Sequence, residues 1–335
     1  MKKLLLKLFA DKKIKAVFNP KGLKSVLIRP VGDAIGDAIT LTAILKQLKT
    51  AFPGVKTGVF VTDRNRPVLE GCPFADELIP LKTVSYFKNR NKWDIFIDST
   101  PTFTTKNIIL DYVLAPRYTI CLTKRDKKIY NKNTVRNYDF YADMAKTAHI
   151  TEILSFTPFA PYVKDIKPEY FIKENSAAIN KVRGLWPEGK IRILLAPRGS
   201  NREISKKDLG IIVSALKDKY REKISFLILN AKDSYALEGV KTTPVLNLNE
   251  YFMLVKSADV VIAVDSASVH IANAFNVPVA AVYANSPATK LWAPLKSSRS
   301  FVIMPPVRQN SNSLIDGFDV NEAIKAAEYF IKAML

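Results

Sequence analysis

From Val260 the chain runs Val-Val-Ile-Ala-Val and then Asp265-Ser266-Ala267-Ser268-Val269-His270. A carboxylate, two hydroxyls and an imidazole thus follow directly on an apolar run. Such a run reads as a buried strand, and the small residues after it lead straight into a helix. The first N–H groups of a helix lack intrahelical partners and carry the positive end of its dipole, so this turn suits an anion such as a phosphate. Ser266 and Ser268 read equally well as plain helix N-caps, and local chemistry does not choose. Two further turns gather polar residues. Val31-Gly32-Asp33-Ala34-Ile35-Gly36-Asp37 offers two carboxylates, Asp37 also reading as the N-cap of a helix beginning at Ala38. Ala196-Pro197-Arg198-Gly199-Ser200-Asn201-Arg202, continued to Lys206, is either a cationic site or an exposed basic loop.

These turns need strands to lead in and helices to lead out. Ser25–Arg29 is β-rich and breaks at Pro30, and Ile39, Leu41, Ile44, Leu45 and Leu48 recur at helical spacing before Pro53-Gly54 ends the helix. Strands are expected at 57–62 and 94–98. After a proline-bearing stretch at 156–167, read as the interdomain connection, the pattern restarts. Strands are expected at 191–195, 224–229, 260–264 and 278–283, with helices at 208–220, 250–258, 268–275 and 320–335. Strands alternating with helices imply βαβ units and parallel sheets, whose ligands sit at the carboxyl ends of the strands. The loops at 30–37, 197–206, 230–234, 265–268 and 284–290 are therefore the places to look.

A chain of 335 residues exceeds what a single core usually supports, and its 48% hydrophobic content supplies two. Two cysteines and two histidines argue against a disulfide framework and against a cysteine- or histidine-rich metal centre. No Gly-x-Gly-x-x-Gly, Walker-type Gly-Lys-Ser/Thr or Gly-x-Ser-x-Gly occurs, so dehydrogenase, P-loop and serine-hydrolase readings lack their phosphate loop or nucleophile turn. Asp-x-Asp, the divalent-metal anchor of many sugar-nucleotide transferases, is also absent. The net charge of +20 attracts polyanions: nucleic acid, anionic lipid or phosphorylated glycans. Cations concentrate at 117–136, and Arg64, Arg66, Arg117, Lys124, Arg125 and Arg136 form a candidate basic wall. At the N-terminus Leu4, Leu5, Leu8 and Phe9 share a helical face with Lys2, Lys3 and Lys7 outside it. That helix either lies on an anionic membrane or packs on the body of the protein.

The stretch Asp265-Ser266-Ala267-Ser268-Val269-His270-Ile271-Ala272, followed by a Pro278-led strand and Trp292-Ala293-Pro294, resembles the signature of glycosyltransferase family nine, the ADP-heptose:lipopolysaccharide heptosyltransferases. Ala267 stands where that pattern has glycine, and Ala284-Asn285 replace a frequent Gly-Pro/Ser. The Gly36-Asp37 turn and its helix are similar to the family's N-terminal Gly-Asp loop. The resemblance implies an α/β fold of two Rossmann-like doubly wound lobes facing a central cleft, of the GT-B type. It divides the chain into a basic N-terminal segment (1–24), an acceptor lobe (25–165), a nucleotide-sugar lobe (166–317) and a C-terminal helix (318–335) free to return to the first lobe. It also implies an inverting, metal-independent transfer of heptose from an ADP-sugar donor to a Kdo or heptose hydroxyl of a phosphorylated lipopolysaccharide inner core, with no cofactor.

In that scheme Asp37 is the general base, Asp33 the second choice, and the acceptor meets Arg64, Arg66, Arg117, Lys124, Arg125 and Arg136. Asp265, Ser266, Ala267, Ser268 and His270 hold the donor diphosphate with Arg198, Ser200 and either Arg202 or Lys206, and Asp233 approaches the nucleotide ribose. A peripheral position on the cytoplasmic face of the inner membrane follows, with no nucleic-acid partner. Three alternatives stay open: a hexose donor, a non-catalytic sugar-nucleotide-binding homologue, and a basic nucleic-acid-binding protein.

Overall fold

The computed structural model describes residues 2–12, 16–122, 124–142, 149–229, 235–296, 299–309 and 313–335. The chain divides into two compact units, Met1–Phe171 and Ile172–Leu335.

The first unit contains α1 (Lys2–Phe9), β1 (Ser25–Arg29), α2 (Ile35–Ala51), β2 (Lys56–Val61), α3 (Arg66–Leu69), β3 (Glu77–Pro80), α4 (Thr83–Lys88), β4 (Ile95–Asp98), α5 (Thr105–Leu114), β5 (Tyr118–Cys121), β6 (Phe140–Tyr141) and α6 (Ala160–Val163). Its six strands form a parallel sheet in the order β3-β2-β1-β4-β5-β6. The central strands are buried from end to end because they are sandwiched between helical layers, which is why they read as continuous apolar runs. One face packs Leu27, Phe60 and Phe96 against Tyr86 of α4 and Leu110 and Leu114 of α5. Helix α2 is buried through most of its length, Ala38–Leu48, because residues 149–171 cover its outer side. There Gln47 Nε2 donates to the Thr151 carbonyl at 2.8 Å, and Thr42 Oγ1 accepts from the Phe171 N–H at 2.9 Å. Phe159 is fully buried, with Phe18 and Phe52 edge-on to it. The proline-bearing stretch thus packs within the first unit, and the division falls after Phe171.

The N-terminal helix departs from its expected facing. Leu5, Leu6 and Phe9 turn inward onto Phe103, Ile108 and Tyr138, while Leu4 and Leu8 stay exposed.

The second unit contains α7 (Ser176–Arg183), β7 (Ile191–Ala196), β8 (Glu203–Ile204), α8 (Lys206–Tyr220), β9 (Ile224–Ile228), β10 (Lys241–Thr242), α9 (Leu248–Ser257), β11 (Val260–Val264), α10 (Ala267–Ala274), β12 (Val279–Val282), α11 (Pro287–Trp292), β13 (Ser300–Ile303), β14 (Leu314–Ile315) and α12 (Val320–Lys332). Its six-stranded parallel sheet is ordered β10-β9-β7-β11-β12-β13, with β8 and β14 paired separately. The C-terminal helix belongs to this unit's core. Ala323, Ala327, Phe330 and Ile331 form its apolar stripe and join the core built by α8 and the second sheet.

Candidate functional site

In each sheet the first strand has its successor on one side and a later strand on the other. The crevice at the carboxyl ends of β1 and β4, and that at β7 and β11, is a topological switch point where helices on opposite faces leave room for a ligand.

At the first switch point Arg29 ends β1, and the chain turns through Gly32 into α2. The helix begins at Ile35, earlier than expected, with Ala34 as N-cap, so Asp37 is the third helical residue and not the cap. Its carboxylate reaches back to the Ala34 N–H, half of a capping box. A β-carbon on Gly32 would collide with Asp37 Oδ2, so only glycine leaves this side chain its place. Burial pushes the Asp37 carboxyl up to about 6. The Asp33 charge adds to the rise, while the Ala34 N–H and Arg64 oppose it. Asp33 is half exposed and lies 3.5 Å from Arg64 Nη1, which comes from the turn after β2. Between the two carboxylates, Asp37 has the environment of a proton acceptor working near neutrality.

The same edge holds a feature with no signal in the sequence. Arg29, buried at 1% exposure, pairs through Nε with Asp98 Oδ1 at 3.0 Å, through Nη2 with Asp98 Oδ2, and through Nη1 with Asp111 Oδ1 at 2.7 Å. Tyr138 bridges both carboxylates at 2.9 and 2.6 Å. Lys124 completes the cluster, with Nζ 2.6 Å from Asp98 Oδ2 and 2.6 Å from Thr100 Oγ1, its side chain fully buried. Burial by itself would raise the Asp98 carboxyl, but Arg29 and Lys124 outweigh it and hold Asp98 well below the usual carboxylate range.

Lys124, expected on a surface wall that meets the acceptor, is instead a buried cation, because Arg29 alone cannot balance the two carboxylates of Asp98 and Asp111. Arg117 is corrected too. It precedes β5 and pairs with Asp94 before β4 at 3.0 Å, on the amino edge of the sheet, whereas Asp37 follows a carboxyl end. Arg66 pairs along its own helix with Glu70 at 3.7 Å. The exposed Arg125 pairs by backbone with Thr102, beyond β4, and the exposed Arg136 pairs by backbone with Asp11 beside α1.

At the second switch point the turns after β7 and β11 touch. Gly199 packs so closely that an added β-carbon would lie 2.7 Å from the Asp265 carbonyl oxygen and 3.1 Å from Ser266 Cβ. The 197–204 turn is closed by Gly199 N–H donating to the Arg202 carbonyl at 2.7 Å and Ile204 N–H to that of Pro197 at 2.9 Å. Burial pushes the Asp265 carboxyl up to about 6, and the charge of Arg202 pulls against that rise. Arg202 is thus brought within electrostatic reach of this turn. Lys206 is the exposed first residue of α8 beyond the Ser205 cap, and exposed Arg198 pairs with Glu203 at 3.2 Å and stacks over Tyr235. Exposed Ser200 sits at the tip of the turn.

Ser266 is the N-cap of α10 by position, yet its hydroxyl makes no cap bond and is buried without a hydrogen-bond partner among the described residues. The free N–H groups of Ala267 and Ser268 begin the same helix. Ser268 shares a 2.7 Å hydrogen bond with Tyr251 of α9, so its hydroxyl fastens α10 to α9. His270 is buried on the next turn. Asp233 lies outside the described residues. Gly32, Gly199 and Tyr251 are the site residues that sequence reasoning passed over. Only the two glycines carried a signal, each standing at a strand-to-helix turn.

Two six-stranded parallel sheets with helices on both faces, each with polar turns at its switch point, define a GT-B-type glycosyltransferase fold. The model of glycosyltransferase family 9 (heptosyltransferase) matches residues 207–313, which include β11 and α10. On that match the chain is a glycosyltransferase. It is similar in structure to the glycosyl transferase family 9 from Veillonella parvula DSM 2008, with a TM-score of 0.72 at 16% identity over 92% of this chain and 98% of that one. E. coli ADP-heptose lps heptosyltransferase II aligns with a TM-score of 0.68 at 12% identity, covering 93% and 99% of the two chains. E. coli heptosyltransferase WaaC with ADP aligns at 0.63 and 14% identity, covering 91% and 99%. No curated protein matches the chain in sequence.

Proposed function

We propose that this glycosyltransferase moves a heptose from ADP-heptose to a Kdo or heptose hydroxyl of a phosphorylated lipopolysaccharide inner core, by inversion and without a metal, at the cytoplasmic face of the inner membrane. The observation that carries the reading is the turn at Asp265-Ser266-Ala267, inside the family-matched segment. There an uncommitted buried hydroxyl, the N-terminus of α10 and Arg202 converge. Such a group of donors stabilises the diphosphate as charge grows on its leaving oxygen. Asp265, once ionised, accepts hydrogen bonds from sugar hydroxyls. In the first unit Asp37 accepts the proton of the acceptor hydroxyl as its oxygen bonds to the anomeric carbon. The carbon–oxygen bond to the diphosphate breaks on the opposite side, and its electron pair leaves with the phosphate. Arg64, Arg66 and Arg125, beyond the carboxyl ends of β2 and β4, are the first unit's candidates for meeting acceptor phosphates.

The ADP seen with an E. coli neighbour and the ADP-heptose named for another favour this donor over a hexose nucleotide. A thermal-shift panel of ADP-, UDP-, GDP- and CMP-linked sugars tests it. The expected result is stabilisation by ADP-heptose and ADP alone, undiminished by EDTA. A stronger shift with UDP- or GDP-sugars would replace the donor assignment. No shift with any nucleotide, alongside salt-sensitive binding of random duplex DNA, would favour the nucleic-acid reading.

A further inference from the structure

Among the described residues, six of the nine large apolar side chains that the first unit leaves exposed lie on three helical segments of one sheet face. They are Leu4 and Leu8 of α1, Leu81, Val84 and Phe87 at α4, and Tyr112 of α5, between 41% and 61% exposed. Helix α5 lies between the other two, packing against both α1 and α4. Tyr86 of α4 and Leu110 and Leu114 of α5 grip the sheet from the same side, so the opposite flanks of these helices face away from it. The segments 2–12, 81–92 and 105–114 carry nine lysines and arginines and only two acids, of which Asp111 is buried against Arg29. Lys7 and Arg90 border a cavity of about 350 Å³ between α1 and α5, with Leu8 and Tyr112 also in its wall. Its wall includes Asn137, a buried residue whose Oδ1 has no hydrogen-bond partner among the described residues.

We infer that this α4–α5–α1 face docks on an anionic phospholipid bilayer, inserting Leu4, Leu8 and Phe87 among the acyl chains while the surrounding lysines and arginines meet the headgroup phosphates. Apolar and aromatic side chains amid long cations are what an interfacial surface needs, because lysine and arginine stems lie along the apolar boundary while their charges stay in the headgroup layer. A protein partner fits less well, since lysine is depleted at protein interfaces. Nucleic acid would use the cations but gain nothing from burying leucines. The inference rests on the membrane-peripheral reading above and names its surface.

Flotation with vesicles of phosphatidylglycerol and phosphatidylcholine, against pure phosphatidylcholine, tests it on the full-length protein. The wild type should bind the anionic vesicles, more weakly in high salt. Leu4→Asp with Leu8→Asp, and separately Phe87→Asp, should each lower apparent affinity at least tenfold while thermal unfolding is unchanged. Val245→Asp, at a 91% exposed position of the second unit, should leave binding intact. Leu8→Trp should show a blue-shifted, bromolipid-quenched component with anionic vesicles. Wild-type binding that all three substitutions leave untouched would overturn this surface while sparing the peripheral reading. A wild type that binds no vesicle would overturn both. Binding of duplex DNA alone, abolished by the same substitutions, would assign the face to another partner.

Discussion

Two carboxylates, Asp37 and Asp265, are each pushed to about 6 by burial. Each therefore holds its proton more tightly in the folded chain than in the unfolded one, whose aspartates titrate near 4. Between pH 4 and 6 the folded state binds more protons, so these groups stabilise at low pH, and that contribution is lost as pH rises through 6. Replacing either by asparagine should raise stability at pH 8 by about 1–2 kcal/mol after solvent screening, or about 2–4 °C in Tm, and do little at pH 4. Differential scanning calorimetry at the two pH values checks the sign, and equal effects at both would refute the burial argument. As a base Asp37 must be ionised, so kcat/KM should rise through pH 6 to a plateau.

At the scale of elements, two glycines do different work at corresponding turns. The obstacle to a side chain at Gly199 is the Asp265 backbone, which cannot swing aside. Gly199→Ala should cost about 1–3 kcal/mol of stability, as overpacking does, and weaken donor binding at least tenfold by calorimetry. The obstacle at Gly32 is the end of the Asp37 side chain, so Gly32→Ala should fold nearly normally yet lose turnover. Sequence pattern alone reveals β11 and α10, because an uninterrupted apolar run followed by small residues has few other outcomes. Helix α2 was legible, though its start was not. Ala34 caps it without a side-chain bond, and Asp37 lies three residues inside. The charge cluster on Arg29 was illegible, because Asp98, Asp111, Lys124 and Tyr138 meet only through the packing of distant segments. A lysine in a basic run gives no sign that it points inward. The same run suggested a surface wall, from which the strand edges remove Arg117 as well.

Across the whole molecule, the excess of +20 is not spread evenly in purpose. The buried cluster adds nothing to it, because Arg29 and Lys124 are balanced by Asp98 and Asp111, whereas part of it surrounds the exposed apolar residues of the α4–α5–α1 face. The family-matched segment lies wholly in the second unit, where the donor chemistry is assigned, while proton acceptance is assigned to the first. That division of labour is the central claim, and it predicts that the two tasks separate by mutation. The most direct measurement compares Asp37→Asn with the wild type for ADP-heptose affinity by calorimetry and for turnover with an inner-core acceptor at pH 8. The account predicts donor affinity within about twofold of wild type and turnover lower by about 10²–10⁴-fold. Unchanged turnover, or donor affinity lost together with it, would contradict the account.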